Sequence, residues 1–175
     1  MIDLLRNRRS IRAYEDRKIE PEKIETLKEA LLRSPSSRGI NPWEFILVED
    51  KGLLKALSKA KEHGAEFLED AALGIVVCGN EKKSDVWVED CSIASIIVQM
   101  AALSIGLGSC WVQIRNRNHD KNTTSERYIQ NLLAIPEHVK VESVISVGYP
   151  AEKKAGVPKE KLPVYKIRIN TYGQT

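Results

Sequence analysis

The stretch CSIASIIVQMAALSIGLGSCWVQI, residues 91–114, decides the fold, because it contains no charged residue and no histidine. In the whole chain 29% of residues are charged, so a gap of this length needs a structural cause. A membrane span requires about 20 predominantly apolar residues, and this stretch is long enough. However, Ser92, Ser95, Gln99 and Ser104 interrupt it, and Gly106-Leu107-Gly108 divides it. We therefore predict two buried elements, a central helix that ends at the glycines and a strand over residues 109–114.

The central helix is predicted to begin near Trp87, with Glu89 and Asp90 placed favourably in its first turn. Its remaining positions leave almost no polar face, and several alanines permit the close approach of another helix. This pattern is typical of a helix that is buried by its own domain and by a second subunit.

The other elements follow from hydrophobic periodicity and from signals at helix ends. Helices are predicted over residues 1–6, from Pro21 and over residues 51–61, with a short one at Phe67 and another that begins at a capping box formed by Thr123 and Glu126. Strands are predicted over residues 43–49, 73–79, 139–149 and 164–170, the first two covered on both faces. We therefore expect residues 1–175 to form one α+β domain, a three-layer sandwich with helices on both faces of a mixed central sheet.

Bulk composition excludes several classes of protein. The net charge of +3 is far below that of a dedicated nucleic-acid binder. The three cysteines are widely spaced in apolar surroundings, which favours reduced core thiols and a cytoplasmic location over a reactive thiol. The three histidines have no metal-ligand spacing, and the N-terminus does not have the pattern of a secretory signal.

An arginine cluster near the N-terminus is the first candidate for ligand binding. Arg8, Arg9, Ser10 and Arg12 lie between apolar residues that hold the segment against the protein. Guanidinium groups bind phosphate through paired hydrogen bonds, although clusters of this kind are often only solvated surface.

Three other segments leave two interpretations open. The loop 34–42 contains Pro35, Ser36 and Arg38 and fits a plain connector or a ligand loop. The polar segment 115–127 fits an exposed loop or a substrate cover. On the predicted last strand, Lys166 and Arg168 share one face, where they either protect a sheet edge or reach an anion.

Taken together, these motifs resemble the FMN-dependent nitroreductase-like family. The matching pieces, in order along nearly the whole chain, are RRSIR (8–12), SPSSRGINPWEF (34–45), WVED (87–90), GLGSCW (106–111) and SVGYP (146–150). The resemblance implies a nitroreductase-like sandwich and a homodimer that holds an FMN in each of two clefts at the subunit interface.

The resemblance also implies roles for individual residues. The N-terminal motif, with Arg8, Arg9 and Ser10, would hold the phosphate and ribityl end of FMN. Arg12 would lie at the pyrimidine edge of the ring. The partner subunit would contribute the loop of Pro35, Ser36 and Arg38, whereas Trp111, Val112 and Gln113 would lie along the isoalloxazine ring. Lys166 and Arg168 would close over the phosphate.

These expectations lead to a hypothesis of function in which FMN carries the chemistry and no protein group is catalytic. The chain is expected to be an NAD(P)H-dependent oxidoreductase that reduces nitroaromatic, quinone or related small-molecule acceptors by ping-pong hydride transfer. Two alternatives remain, another flavin chemistry such as dehalogenation or dehydrogenation, and a non-enzymatic nucleic-acid-binding module. We expect neither a nucleic-acid nor a membrane partner.

Overall fold

The computed structural model describes residues 1–173, which form five helices, four strands and several short 3₁₀ turns. The helices are α1 (Ile2–Asn7), α2 (Pro21–Leu32), α3 (Lys51–Leu57), α4 (Trp87–Ser104) and α5 (Ser125–Leu133). The strands are β1 (Trp43–Val48), β2 (Leu73–Asn80), β3 (Gly108–Gln113) and β4 (Val139–Gly148). The strands form one sheet in the order β1-β2-β4-β3.

The sheet lies between two helical layers, which confirms the three-layer α+β sandwich. Alternate residues of β2 point to opposite faces, so Ile75 and Val77 belong to one apolar cluster and Val76 and Cys78 to the other. Helices α2 and α4 cover the first face, and α3 and α5 cover the second.

The sheet differs from the expected mixed sheet because β1, β2, β4 and β3 pair antiparallel throughout. Val48 at the end of β1 pairs with Gly74 near the start of β2, and Gln113 at the end of β3 pairs with Ser143 in β4. Helix α3 therefore connects β1 to β2, and α5 connects β3 to β4, each at one end of the sheet. Neither connection is the crossover that parallel strands require. Within residues 1–173, the single parallel pairing is an isolated bridge between Ser10 and Ser109.

The stretch that decides the fold has the predicted structure. Helix α4 ends at Ser104, Gly106 has a left-handed φ of 80° and β3 begins at Gly108. The helix is long and apolar enough to cross a membrane by length and composition, but it packs against the sheet and α2. We therefore interpret it as the core helix that the interrupting polar residues indicated.

Several local predictions were wrong. Strand β1 is an edge strand with mostly half-buried residues, so it is not covered on both faces, and α3 ends at Leu57 instead of residue 61. Helix α5 is capped by Thr124, whose side chain accepts from Arg127 N, and not by Thr123. Glu126 Oε2 accepts instead from the backbone N–H of Val141, because α5 lies against the start of β4.

Candidate cofactor site

The N-terminal arginine segment lies along the free edge of β3. The backbone N–H of Ile11 donates to Ser109 O at 3.0 Å, next to the Ser10–Ser109 bridge. A Cβ at Gly108 would lie 2.9 Å from the Ile11 side chain, so the two segments approach this closely only because residue 108 is glycine. The segment is therefore fixed to the sheet, as its apolar flanks predicted.

Tyr14 fastens the far end of the same segment. Its hydroxyl donates to Ile11 O at 2.7 Å and lies 2.7 Å from Ser146 Oγ on β4. Burial raises the pKa of Tyr14 far above its usual value, so the hydroxyl stays protonated and serves as a structural hydrogen bond.

A cavity of about 250 Å³ opens between this segment and the glycine turn after α4. Its walls include Arg8, Arg9, the turn from Gly106 to Ser109, and two lysines from the segment after β4, Lys153 and Lys154. Four cationic side chains thus lie opposite the glycine turn, where Gly106 and Gly108 leave the backbone accessible. This combination suits a phosphate dianion, which binds both charged groups and backbone N–H donors.

A carboxylate organises the cationic wall. Glu152 Oε1 accepts from the Arg12 backbone N–H at 2.6 Å and from Lys154 Nζ at 2.7 Å, and Lys154 also donates to Ser10 O at 3.1 Å. These bonds, the one from Arg12 first, hold the pKa of Glu152 below its usual value. The Arg12 guanidinium itself lies over the Phe67 ring, 5.7 Å from its centre.

The predicted ring-binding residues lie on β3, beside the cavity. Val112 is buried, whereas Trp111 and Gln113 are half-buried. Trp111 Nε1 donates to Gln113 Oε1 at 2.9 Å, and Gln113 Nε2 donates to Arg115 O at 2.9 Å. The strand thus presents an ordered row of polar groups that begins at the glycine turn.

The loop with Pro35, Ser36 and Arg38 does not line this cavity within one chain. Arg38 has a left-handed φ of 56° and pairs with Asp85 at 2.6 Å. The Ser37 N–H donates to Asp90 Oδ1 at 2.8 Å. Whether the loop contacts a flavin depends on a second subunit, so its role stays a prediction.

The predicted strand over residues 164–170 was wrong. Val164–Lys166 forms a 3₁₀ turn instead, and the apolar side chains around it are mostly exposed. Arg168 donates to Tyr165 O, and none of the contacts found in residues 1–173 joins Lys166 or Arg168 to the N-terminal arginines. Alternation alone does not produce a strand where no neighbouring strand in the chain offers hydrogen bonds.

Glu152, Lys153 and Lys154 line the cavity but were not among the binding residues predicted from the sequence. The available signal was their position directly after SVGYP. Tyr14 and Pro150 form an antiparallel bridge, so the chain that leaves β4 necessarily passes the arginine segment.

The cysteines have the structural role that was favoured. Cys78, Cys91 and Cys110 are buried and unpaired. Burial raises the pKa of Cys78 to about 12 and raises those of Cys91 and Cys110 as well, so none is a ready thiolate. Residues 1–173 also contain no group of side chains that could hold a metal ion.

The fold is an α+β sandwich with a cationic cavity at the free edge of its sheet. Comparison with known proteins gives the family: the profile of the nitroreductase family matches residues 5–63 and 50–149, so the chain belongs to that family.

Individual relatives agree with this assignment. An "FMN-dependent Nitroreductase" from Clostridium difficile R20291 is 43% identical, with a TM-score of 0.97 over 98% of this chain and 100% of its own. A protein of Archaeoglobus fulgidus with the provisional name NADH dehydrogenase/NAD(P)H nitroreductase is 40% identical over 87% of each chain. The "FMN reductase [NAD(P)H]" of Bacillus subtilis is 24% identical over 91% of this chain and 69% of its own. The family resemblance inferred from the motifs is therefore confirmed.

Proposed function

We propose that the protein is an FMN-dependent NAD(P)H oxidoreductase that reduces nitroaromatic, quinone or related acceptors. The observation that carries the proposal is the cavity where Arg8, Arg9 and Lys154 face the glycine turn at the start of β3. The printed names of the C. difficile, A. fulgidus and B. subtilis relatives support the same chemistry.

The residues present fit FMN. The cavity has the charge and size for the phosphate end, but its volume of about 250 Å³ is small for the whole cofactor. In this proposal Trp111, Val112 and Gln113 on β3 would hold the remainder of FMN. The bound cofactor would supply hydride transfer between NAD(P)H and the acceptor, which we propose follows a ping-pong cycle.

The protein's own groups provide binding, orientation and electrostatic field. The arginines and lysines neutralise the phosphate through charge-assisted hydrogen bonds. In this proposal Ser10, held beside Ser109 by a backbone bridge, contacts the ribityl end of FMN. In this proposal the Arg12 guanidinium favours negative charge at the pyrimidine edge of the ring, which raises the tendency of the ring to accept hydride.

A homodimer completes the proposed site. A mostly apolar groove lies between α1 and α4, and Leu5 and Ile96 are exposed in it. It is lined by Met1, Leu4, Leu5, Ile96, Ile97, Met100, Ala101 and Ser104. An apolar groove of this kind favours a subunit interface. A partner then brings Pro35, Ser36 and Arg38 to the flavin, and its exposed tail supplies Lys166 and Arg168. We propose this assembly of one-domain chains, residues 1–175, for a cytoplasmic enzyme.

Anaerobic reduction tests the proposal. The purified protein, supplied with FMN, should be yellow, and its absorbance near 450 nm should bleach when NADH or NADPH is added. A protein that takes up no FMN on titration would refute the proposal. Bleaching by dithionite but not by NADH or NADPH would assign the chain to another flavin chemistry.

The nucleic-acid alternative has its own test. Binding through phosphates weakens steeply with rising salt, so a nucleic-acid-binding module would lose its ligand between low and moderate salt. A flavin enclosed by Arg8, Lys154 and the glycine turn should remain bound over the same range.

A further inference from the structure

A second, larger cavity lies beyond the other end of β3. Its volume is about 570 Å³, and its walls are mostly polar. They come from Trp87 at the start of α4, from the turn after β3 and from the start of β4, and include Arg115, Asn116, Arg117, Asn118, Lys140 and two glutamates.

The acidic groups of the cavity are already engaged. Lys140 Nζ lies 3.2 Å from Glu81 and 4.0 Å from Glu126, and Glu126 also accepts from the Val141 N–H. Both glutamates thus lie beside Lys140, and the cavity lining, with Arg115 and Arg117 included, keeps a formal net charge of +1.

The two arginines, in contrast, have no acidic partner within residues 1–173. Arg117 donates only to the carbonyl of Asn116, at 3.0 Å, and the Arg115 guanidinium lies 6.0 Å from the centre of the Trp87 ring. Asn116 between them has a left-handed φ of 58°, and this turn brings both arginines to the same cavity.

The buried carboxyl group of Glu142 lies near Arg115 but is not part of the cavity wall. It is 4% exposed, and burial raises its pKa, although Arg115 opposes that effect. Its backbone carbonyl accepts from the N–H groups of Ile114 and Arg115 at 3.2 and 3.1 Å. This fixes the start of the turn, so the position of the Arg115 backbone is set by the sheet.

A chain of hydrogen bonds joins this cavity to the proposed flavin segment. Trp111 donates to Gln113, and Gln113 donates to Arg115 O, both at 2.9 Å. A ligand that reacts over Trp111–Gln113 therefore has the two guanidiniums next to it along the strand. Trp87, half-buried against Gly79, adds a planar surface on the same wall.

We propose that this cavity selects the acceptor by binding a carboxylate carried on its aromatic ring, with Arg115 and Arg117 as the anion-binding pair. This inference rests on the proposed function, because it takes the reacting ring to lie on β3. Paired guanidiniums match a carboxylate geometrically, and a ring surface suits the aromatic body of the acceptor.

Matched acceptors and matched variants test the proposal on the FMN-loaded protein. The acceptors are 4-nitrobenzoate and its neutral methyl ester, which share a ring and a nitro group. Arg115→Gln and Arg117→Gln should each lower kcat/KM for 4-nitrobenzoate about tenfold, mainly through KM, and change the value for the ester less than twofold. Arg127→Gln, which removes the same charge from an exposed position outside the cavity, should change neither.

Three results would overturn the proposal. The first is an equal loss of kcat/KM with both acceptors, and the second is no loss of kcat/KM with either acceptor. The third is a change confined to the ratio of NADPH to NADH activity, which would assign the arginines to the nucleotide phosphate.

A binding measurement separates this proposal from the proposed function. Calorimetric titration of the purified protein with 4-nitrobenzoate needs no turnover. If 4-nitrobenzoate binds to Arg127→Gln but not to Arg115→Gln, the result supports the anion-binding role of the cavity, even if NAD(P)H fails to reduce the flavin. If NAD(P)H reduces the flavin but the protein does not bind 4-nitrobenzoate, the proposed role of the cavity is wrong and the proposed function is unaffected.

Discussion

Asp90 Oδ1 accepts a hydrogen bond from the backbone N–H of Ser37 at 2.8 Å, so the first turn of α4 holds the loop that follows α2. Asp90 is 2% exposed, and its other oxygen has no hydrogen-bond partner in residues 1–173. Burial of a carboxyl group with one oxygen lacking a partner costs free energy, which the hydrogen bond from Ser37 offsets in part.

Asp90→Ala should free the loop and weaken FMN binding about tenfold, because Ser36 and Arg38 lose their fixed position. Flavin fluorescence titration measures the affinity, and thermal unfolding measures stability. Asp90→Asn keeps an acceptor for Ser37 and should restore most of the affinity.

Asp50→Ala is the matched control for this prediction. Asp50 caps α3 through an equivalent bond from Leu53 N at 2.8 Å, away from the proposed site. The Asp50→Ala variant should lose about 1 kcal/mol of folding stability and bind FMN with unchanged affinity. Normal FMN binding by Asp90→Ala would show that Asp90 is only a structural group.

Removal of one cation from the cavity should weaken flavin binding strongly. Arg8→Gln and Lys154→Gln each remove a charge-assisted bond worth about 1.5–3 kcal/mol, which corresponds to a loss of about 10- to 100-fold in affinity. Titration of the apoprotein with FMN measures the effect.

Arg33→Gln is the control for the cavity variants, because Arg33 is exposed on the end of α2 and pairs only with Glu29. It should bind FMN normally. If Arg8→Gln and Lys154→Gln also bind FMN normally, the phosphate lies elsewhere on the protein.

Glu20 predicts a pH dependence of stability. Its carboxylate accepts from the Tyr149 hydroxyl and pairs with Arg17 at 2.7 Å, which lowers the pKa of Glu20 from 4.5 to about 2, the Tyr149 bond contributing most. A lowered folded-state pKa stabilises the protein above the unfolded-state pKa, and the effect disappears as the pH falls through the folded-state value.

Tyr149→Phe should therefore unfold at a lower temperature than wild type at pH 7, with a difference that shrinks between pH 4.5 and pH 2. Thermal unfolding followed by circular dichroism over this range gives the difference directly. A difference that stays constant with pH would mean that the lost contact between Lys23 and the hydroxyl, and not the Glu20 bond, accounts for the effect.

The apolar groove on α1 and α4 predicts an interface. Ile96 is 40% exposed in the groove, and Ile96→Glu places a charge where a partner would pack. The variant should be monomeric by light scattering and should lose FMN. Leu32→Glu is the control, because Leu32 is 65% exposed among the charged side chains of α2. A dimeric Ile96→Glu variant would place the interface elsewhere.

The elements that the sequence predicted well are those whose cause is local. The glycines at 106 and 108 end α4 and start β3, and Pro21 occupies the first turn of α2, where a missing N–H costs nothing. The position of the arginine segment against the protein was also predicted, because its apolar flanking residues are close to the arginines in the sequence.

The features that could not be predicted depend on distant partners. Residues 164–170 alternate like a strand, yet no strand within residues 1–173 pairs with them. Thr124 rather than Thr123 caps α5, since the bridge between Asn118 and Thr124 fixes the approach of the chain. Lys154 joins the site only because β4 ends beside Tyr14, which no local pattern reveals.

The bridge between Ser10 and Ser109 also has a kinetic consequence. Ser10 and Ser109 are far apart in the sequence, so the bridge between them closes a long loop. Because closing such a loop costs conformational entropy, we expect this bridge to form late in folding. A ligand that touches both sides has no equivalent site on the unfolded chain and stabilises the folded state in proportion to the logarithm of its concentration. The steady-state amount of folded protein in a cell is thereby coupled to the supply of that ligand.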